Sequence, residues 1–262
     1  MAVRGLALDL DGTLLRPDDT IGERDRAAVA AAVDAGWPVI LATARWYQLA
    51  ERTAHELGLT DPVIACSGAE VRRLRDGADL LDVRVPAACA ADVYAACDGH
   101  DGLVMVYEER DIAVVGARSA WLPEVRLVDS LAEAEATPRT VLVFGEEITR
   151  RLLDEVAPKW ADEARFLVSM TGHGQPVLTI TGAGADKGRA LRVACADVGL
   201  DPSEVAAMGD SETDVEMFRV AGTSVAMGQA DVLVQAAATF VTAANTDDGV
   251  GRAIERLLAE NG

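Results

Sequence analysis

Short apolar runs alternate with helical stretches at both ends of this chain, and that alternation is what most limits the folds open to it. Near the N-terminus the runs cover residues 3–10, 37–43 and 63–66, with Ala-rich helical sequence after the first and a helix over 45–57 closed by Gly58 after the second. Thr20 and Glu23 have the spacing of a capping box, and Gly36 suits a helix stop. The same order returns towards the C-terminus: helix over 187–198, strand 205–208, helix 214–221, strand 224–227, helix 231–237, strand 240–242 and helix 249–258. Strands separated by helices pair in parallel, and a parallel sheet is covered on both faces. The middle differs. Runs at 103–107, 112–115, 140–144, 166–169 and 177–180 read as paired strands, interrupted by helices at 87–97 and 147–160. The expected fold is therefore α/β, with a doubly wound parallel-sheet core made from residues 1–82 and 183–262 and an α+β domain inserted at 83–182.

Composition narrows the function. Of 262 residues half are hydrophobic, enough for a substantial core, but no apolar run approaches the length that spans a bilayer. The N-terminal run meets acidic residues too early for a secretory leader, so a cytoplasmic protein is expected. A formal charge of −19 argues against a nucleic-acid partner, whose phosphates call for a basic surface. Cys66, Cys89, Cys97 and Cys195, with His55, His100 and His173, show no zinc-ligand spacing. An enzyme of anionic substrates with this charge needs a local positive device, either a metal ion or a well-placed cation. Of the 24 basic residues only Lys159 and Lys187 are lysines.

Four places bring reactive groups to strand ends, where open α/β sheets bind ligands. Asp9 and Asp11 lie two apart at the end of the first strand, so both face one pocket, and Gly12 permits the sharp turn that follows. Two such carboxylates repel unless a cation sits between them, and their hard oxygens suit Mg²⁺. Alone, Asp-x-Asp-Gly also describes a surface turn. Thr43 and Ala44 end the second strand, where a hydroxyl and the first helical amides form a phosphate cradle; a plain helix cap is the other reading. Lys187 opens a helix, the end that disfavours cations, which points to an anion facing it. Asp210 and Asp214, four apart, approach one cation from a loop and a first helical turn.

In this order the four elements resemble the haloacid dehalogenase superfamily, whose nucleophile motif reads as Asp9-Leu10-Asp11-Gly12-Thr13-Leu14-Leu15 does here. The segments 225–230 and 247–250 resemble its Cof-type branch, which inserts an α/β cap between the second and third motifs of a Rossmann-like core. The resemblance implies a Mg²⁺-dependent phosphatase of a small phosphorylated metabolite such as a sugar phosphate. In it Asp9 is the nucleophile and Asp11 the acid–base. Asp9, Asp11, Asp210 and Asp214 hold the metal, while Thr43, Ala44, Lys187 and Thr213 hold the phosphoryl group. A phosphomutase of the same fold and a non-catalytic sugar-phosphate sensor stay open, and a monomer is compatible with the sequence. The chain departs from the family pattern at Ala44, Ser67, Thr213 and Gln229.

Every phosphate ester looks alike to such a core, so substrate choice is expected in the insert, with Arg110, Arg118, His173 and Gln175 as candidate contacts. The scarcity of lysine yields the first test. Lys187→Arg should abolish turnover, because a planar guanidinium replaces a compact point charge, while Lys159→Arg should be silent. Equal kcat values for the two variants would assign Lys187 to composition alone.

Overall fold

Residues 2–100, 103–109, 111–116, 125–170 and 175–261 are described by a computed structural model, and their strands form two separate sheets. The first part of the chain supplies β1 (Gly5–Leu8), α1 (Glu23–Asp34), β2 (Val39–Ala42), α2 (Tyr47–Glu56), β3 (Val63–Ala65), β4 (Glu70–Arg72) and β5 (Asp79–Asp82). The middle supplies α3 (Ala87–Cys97), β6 (Val104–Tyr107), β7 (Ile112–Val115), β8 (Val125–Leu127), β9 (Thr140–Phe144), α4 (Glu146–Arg151), β10 (Ala164–Met170) and β11 (Pro176–Gly182). After it come α5 (Lys187–Val198), β12 (Val205–Gly209), α6 (Val215–Phe218), β13 (Thr223–Ala226), α7 (Val232–Ala237), β14 (Phe240–Val241) and α8 (Gly249–Asn261). The chain divides into two units, Met1–Leu81 with Asp186–Gly262, and Asp82–Ala185.

The sheet of the first unit has the order β14-β13-β12-β1-β2-β3-β4-β5 and is parallel from β14 to β3. Ala7 of the central β1 pairs with Ala207 on one side and Ile40 on the other. Ala7, Ile40, Ala42 and Ile64 pack with Ala190, Leu191 and Ala194 of α5 and with Met217 of α6. Their neighbours Leu6, Leu8 and Leu41 are equally buried, so the central strands have no solvent face, as a doubly wound α/β sheet requires. At one edge β4 runs antiparallel to β3, with Val71 opposite Ile64. Neither β4 nor β5 is visible as an apolar run, because Glu70, Arg72, Asp79 and Asp82 occupy half or more of these short strands.

Two helix expectations are corrected. Gly22, with no capping side chain, precedes α1, and both the amide and the hydroxyl of Thr20 bond to Asp18 Oδ1 instead. The long helix expected over 147–160 ends as α4 at Arg151 and continues as a π turn (Leu152–Val156) and a 3₁₀ turn (Ala157–Lys159). Pro158, which has no N–H to donate, sits where a regular helix would need one.

In the second unit β10-β11-β9-β6-β7-β8 form a mostly antiparallel sheet, with only β7 and β8 parallel among the pairings described. Its strand residues Val104, Val106, Val141, Val143, Leu178 and Ile180 pack with Cys89, Ala90 and Val93 of α3 and Ile148 of α4. Arg110, Arg118 and His173 lie outside the described residues; Gln175 immediately precedes β11.

One close approach fixes where α5 begins. Gly68 has φ of +89°, and a β-carbon on it would meet the carbonyl carbon of Asp186 at 2.5 Å and the amide nitrogen of Lys187 at 2.7 Å. Gly36 has φ of +80° with nothing within 4 Å of the same position. Gly36→Ala therefore suffers only the backbone cost of a left-handed conformation, roughly 1 kcal/mol. Gly68→Ala meets a backbone clash as well and should lose about 1–3 kcal/mol more, measured by urea unfolding. Equal losses would show that this contact places no constraint on α5.

Candidate active site

The reactive groups gather at the carboxyl ends of β1 and β12. Asp9 follows β1, is buried, and donates its amide to the Met208 carbonyl of β12 at 3.0 Å. The chain then turns back on itself: the Thr13 and Leu15 amides reach the Leu10 carbonyl at 3.1 and 2.8 Å, and Leu14 reaches Asp9 at 3.3 Å. Gly12 takes φ of +79° in this turn, and a β-carbon there would fall 2.2 Å from Asp210 Oδ2. The absence of a side chain thus lets the Asp210 carboxylate lie against the turn that carries Asp11.

Lys187 is the first residue of α5, whose N-cap Asp186 accepts from the Arg189 amide at 2.6 Å. Its own amide donates to Glu216 Oε2 at 2.9 Å. Its ammonium group is fully buried and donates to Asp9 Oδ1 at 2.8 Å and to Asp214 Oδ1 at 2.7 Å. Burial works against the lysine charge, but Asp214 and Asp9 outweigh it and push its pKa above the usual range. The other oxygen of Asp214 accepts from the amides of Asp210 (3.1 Å) and Ser211 (2.9 Å) and from the Ser211 hydroxyl (2.8 Å). Asp214 is therefore engaged on both oxygens, one holding the lysine and one building the loop that presents Asp210.

Carboxylate oxygens of Asp9, Asp210 and Asp214 all lie within 4.8 Å of one another. Burial, and next the charge of Asp214, raise the pKa of Asp9 well above the carboxylate range, with Lys187 opposing. The same two causes push Asp210 up to about 6. Three crowded carboxylates against one ammonium leave a local excess of negative charge, and their donors are hard oxygens, so the cluster fits Mg²⁺.

The other predicted residues have mixed surroundings. Thr43 is buried just after β2, and its hydroxyl accepts from the Arg45 amide at 3.0 Å within a turn. It is not the helix cap of the alternative reading, because α2 starts at Tyr47 with Trp46 as its N-cap. Ala44 is exposed, and the Thr213 hydroxyl bonds that of Ser211 at 2.9 Å. The Asp11 carboxylate stands apart from the three-carboxylate cluster and is held by Arg45, with Nε 3.1 and 2.9 Å from its two oxygens and Nη2 2.6 Å from Oδ1. Two contributors, Arg45 and Gln229, receive no role from the sequence, Gln229 standing there only as a departure from the family pattern. Arg45 was visible only as a neighbour of Thr43, and Gln229 donates to the Gly12 carbonyl at 2.5 Å while accepting from the Asn245 amide at 3.0 Å. Cys66 and Ser67, with φ of 51° and 56°, precede Gly68 and donate their amides to the Arg45 and Thr43 carbonyls.

Residues 6–254 match the model of the haloacid dehalogenase-like hydrolases. The chain belongs to that family. Pyridoxal phosphate phosphatase YbhA of Escherichia coli is 30% identical to this hydrolase over 272 residues, covering 97% of this chain and 98% of the relative. The 5-amino-6-(5-phospho-D-ribitylamino)uracil phosphatase YwtE of Bacillus subtilis is 26% identical over 287 residues, covering 97% and 98%. A haloacid dehalogenase-like hydrolase of Bacteroides thetaiotaomicron shares the fold with a TM-score of 0.84 at 24% identity, over 97% of this chain and 99% of that one. No helix among the described residues of this hydrolase is long and apolar enough to cross a membrane.

The shifted carboxylate gives a test that needs no turnover. Folding favours the protonated form of Asp210, so its contribution to stability is complete below about pH 4 and lost as pH rises through about 6. With divalent cations chelated, Asp210→Asn should match wild type near pH 4 and exceed it near pH 7 by about 2 kcal/mol. A stability difference that does not change between these pH values would remove the charge crowding inferred for the cluster.

Proposed function

We propose that this chain is a Mg²⁺-dependent phosphatase of small phosphorylated metabolites that works through an aspartyl-phosphate on Asp9. One observation carries the reading: the buried Lys187 ammonium bonds Asp9 and Asp214 at the carboxyl edge of a doubly wound sheet. A carboxylate nucleophile must be ionised and held still. The fixed Lys187 cation opposes the burial and the Asp214 charge that raise the Asp9 pKa, and a bound Mg²⁺ would oppose them further.

Asp9, the Asp11 main-chain carbonyl and Asp210 would hold the metal, with Asp214 in direct contact or behind a water. When bound, Mg²⁺ neutralises phosphate charge and orients the ester for in-line attack. An oxygen of Asp9 bonds to phosphorus as the bond from phosphorus to the leaving oxygen breaks. That oxygen takes its proton from the Asp11 carboxyl group. Asp11 then accepts a proton from water, the water oxygen bonds to phosphorus, and the acyl-phosphate bond returns its electrons to Asp9. Lys187 balances the charge gathering on the phosphoryl oxygens. Thr43, which accepts from the Arg45 amide, keeps its hydroxyl hydrogen for one of those oxygens; the Ala44 amide and Thr213 complete the cradle.

In this reading the segments 1–82 and 183–262 form the catalytic core and 83–182 the domain that selects the substrate. The core groups answer only to what all phosphomonoesters share. The named phosphatases among the relatives, one for pyridoxal phosphate and one for a ribitylamino-uracil phosphate, support a phosphorylated metabolite as substrate. A cytoplasmic site suits the four free, buried thiols; burial pushes Cys89, Cys97 and Cys195 up to about 12, far from thiolate chemistry.

The test is a panel of phosphorylated metabolites assayed for free phosphate with Mg²⁺ and again with EDTA. Activity should require the metal, and Asp9→Asn should lower it by at least ~10³-fold. Retention of a tenth of wild-type turnover by that variant would end the assignment of Asp9. Phosphate appearing only on another acceptor would favour a mutase, and binding without release a sensor.

A further inference from the structure

The loop after the nucleophile turn holds a carboxylate whose placement the turn itself does not require. Arg16 donates its amide to the Thr20 carbonyl at 2.9 Å, and the Asp19 amide returns to Arg16 at 3.0 Å. Within this hairpin Asp19 adopts φ of 61°, a left-handed conformation in which Gly or Asn is the easier residue. Arg16 also bonds Asp248 at 2.8 Å, which ties the loop to the residue preceding α8. The carboxylate thus fixed accepts from Nη2 of Arg45, the same nitrogen that holds Asp11.

Arg45 is moored at its backbone as well. Its amide donates to Thr43 Oγ1 at 3.0 Å, and its carbonyl accepts from Cys66 at 2.9 Å. What remains free to move is the guanidinium, which is only 24% exposed and lies between two carboxylates. A guanidinium is the side chain best matched to a phosphate. An arriving phosphoryl dianion therefore competes with Asp11 for it.

We propose that Asp19 is a positioning residue for Asp11: by holding the outer edge of Arg45 it keeps the guanidinium fork on the Asp11 carboxylate when substrate is bound. This rests on Asp11 being the acid–base of the proposed phosphatase. Asp19 touches neither the three-carboxylate cluster nor Lys187 among the described residues, and it acts only through Arg45. A bidentate fork fixes the plane of a carboxylate, and small misplacements of a proton donor are costly in rate. Losing the anchor should matter most where the leaving oxygen most needs its proton.

The experiment uses the full chain with Mg²⁺ and two substrates, an alkyl phosphate with a poor leaving group and p-nitrophenyl phosphate with a good one. Asp19→Asn and Asp19→Gly are made in the wild type and in Asp11→Asn. Both should lower kcat on the alkyl ester on the order of tenfold and barely change it on the aryl ester. In the Asp11→Asn background they should add nothing, because the residue they act through is already disabled. Asp19→Gly should keep or raise the unfolding midpoint, since glycine takes this conformation without strain. An equal loss on both esters, a further loss in the Asp11→Asn background, or no loss at all would overturn the proposal. Normal alkyl-ester hydrolysis by Asp11→Asn alone would instead overturn the role of Asp11, and this proposal with it.

Discussion

The Lys187 ammonium between Asp9 and Asp214 is the interaction on which the rest of the site depends. All three groups are buried, and an unpaired charge at that depth costs several kcal/mol. The pairings offset that cost only while the partners stay in register, so the scaffold is built to prevent slippage. Gly68 lets the β3 turn press against the Asp186–Lys187 peptide, and a β-carbon on Gly188 would lie 2.2 Å from the Glu216 carbonyl oxygen. Glu216 in turn accepts the Lys187 amide, which fastens the lysine to α6 as well as to its own helix. Helix packing here serves to set a charge as much as to bury apolar surface.

That arrangement also divides labour among three carboxylates that look equivalent. Asp214 spends one oxygen on the lysine and the other on the loop from Gly209, so it also builds the loop that presents Asp210. Asp9 spends one oxygen on the lysine, and Asp210 is set in place through its own amide, which donates to Asp214 Oδ2. The cluster stays short of positive charge by design of its donor set. In a chain of net charge −19 the donors that fit a divalent cation are thus gathered at one point of the sheet edge.

Strain is stored at the rim of the same sheet. Cys66, Ser67, Asp19 and Asp248 are the non-glycine residues with positive φ among those described. The Asp19 side chain accepts from Arg45, the Cys66 amide donates to the Arg45 carbonyl and the Ser67 amide to the Thr43 carbonyl, so three of the four touch the second strand end directly. Asp248 is linked to it by way of Arg16, whose carbonyl accepts from the Asp19 amide. Such conformations persist when the surrounding structure over-determines them, and they gather where side chains must be aimed rather than merely packed.

The strand ends that carry Asp9, Thr43 and Asp210 were legible because a buried strand writes itself as an apolar run and the residue after it falls at the sheet edge. The alternation of strand and helix also fixed the parallel core, and a lysine at a helix start marked itself as out of place. What the chain alone withheld has one physical cause: it depends on side chains brought together across long separations or on competition between local partners. Arg45 lies 34 residues from Asp11 and 26 from Asp19, so no local pattern predicts their meeting. Thr20 looked like a helix cap until Asp18 claimed its hydroxyl, and β4 and β5 carry charges that hide their pairing. Periodicity and turn chemistry are properties of neighbours in sequence, so residue order settles them. Which carboxylate binds the lysine, which builds a loop and which is held by an arginine is decided by distance in the folded state alone.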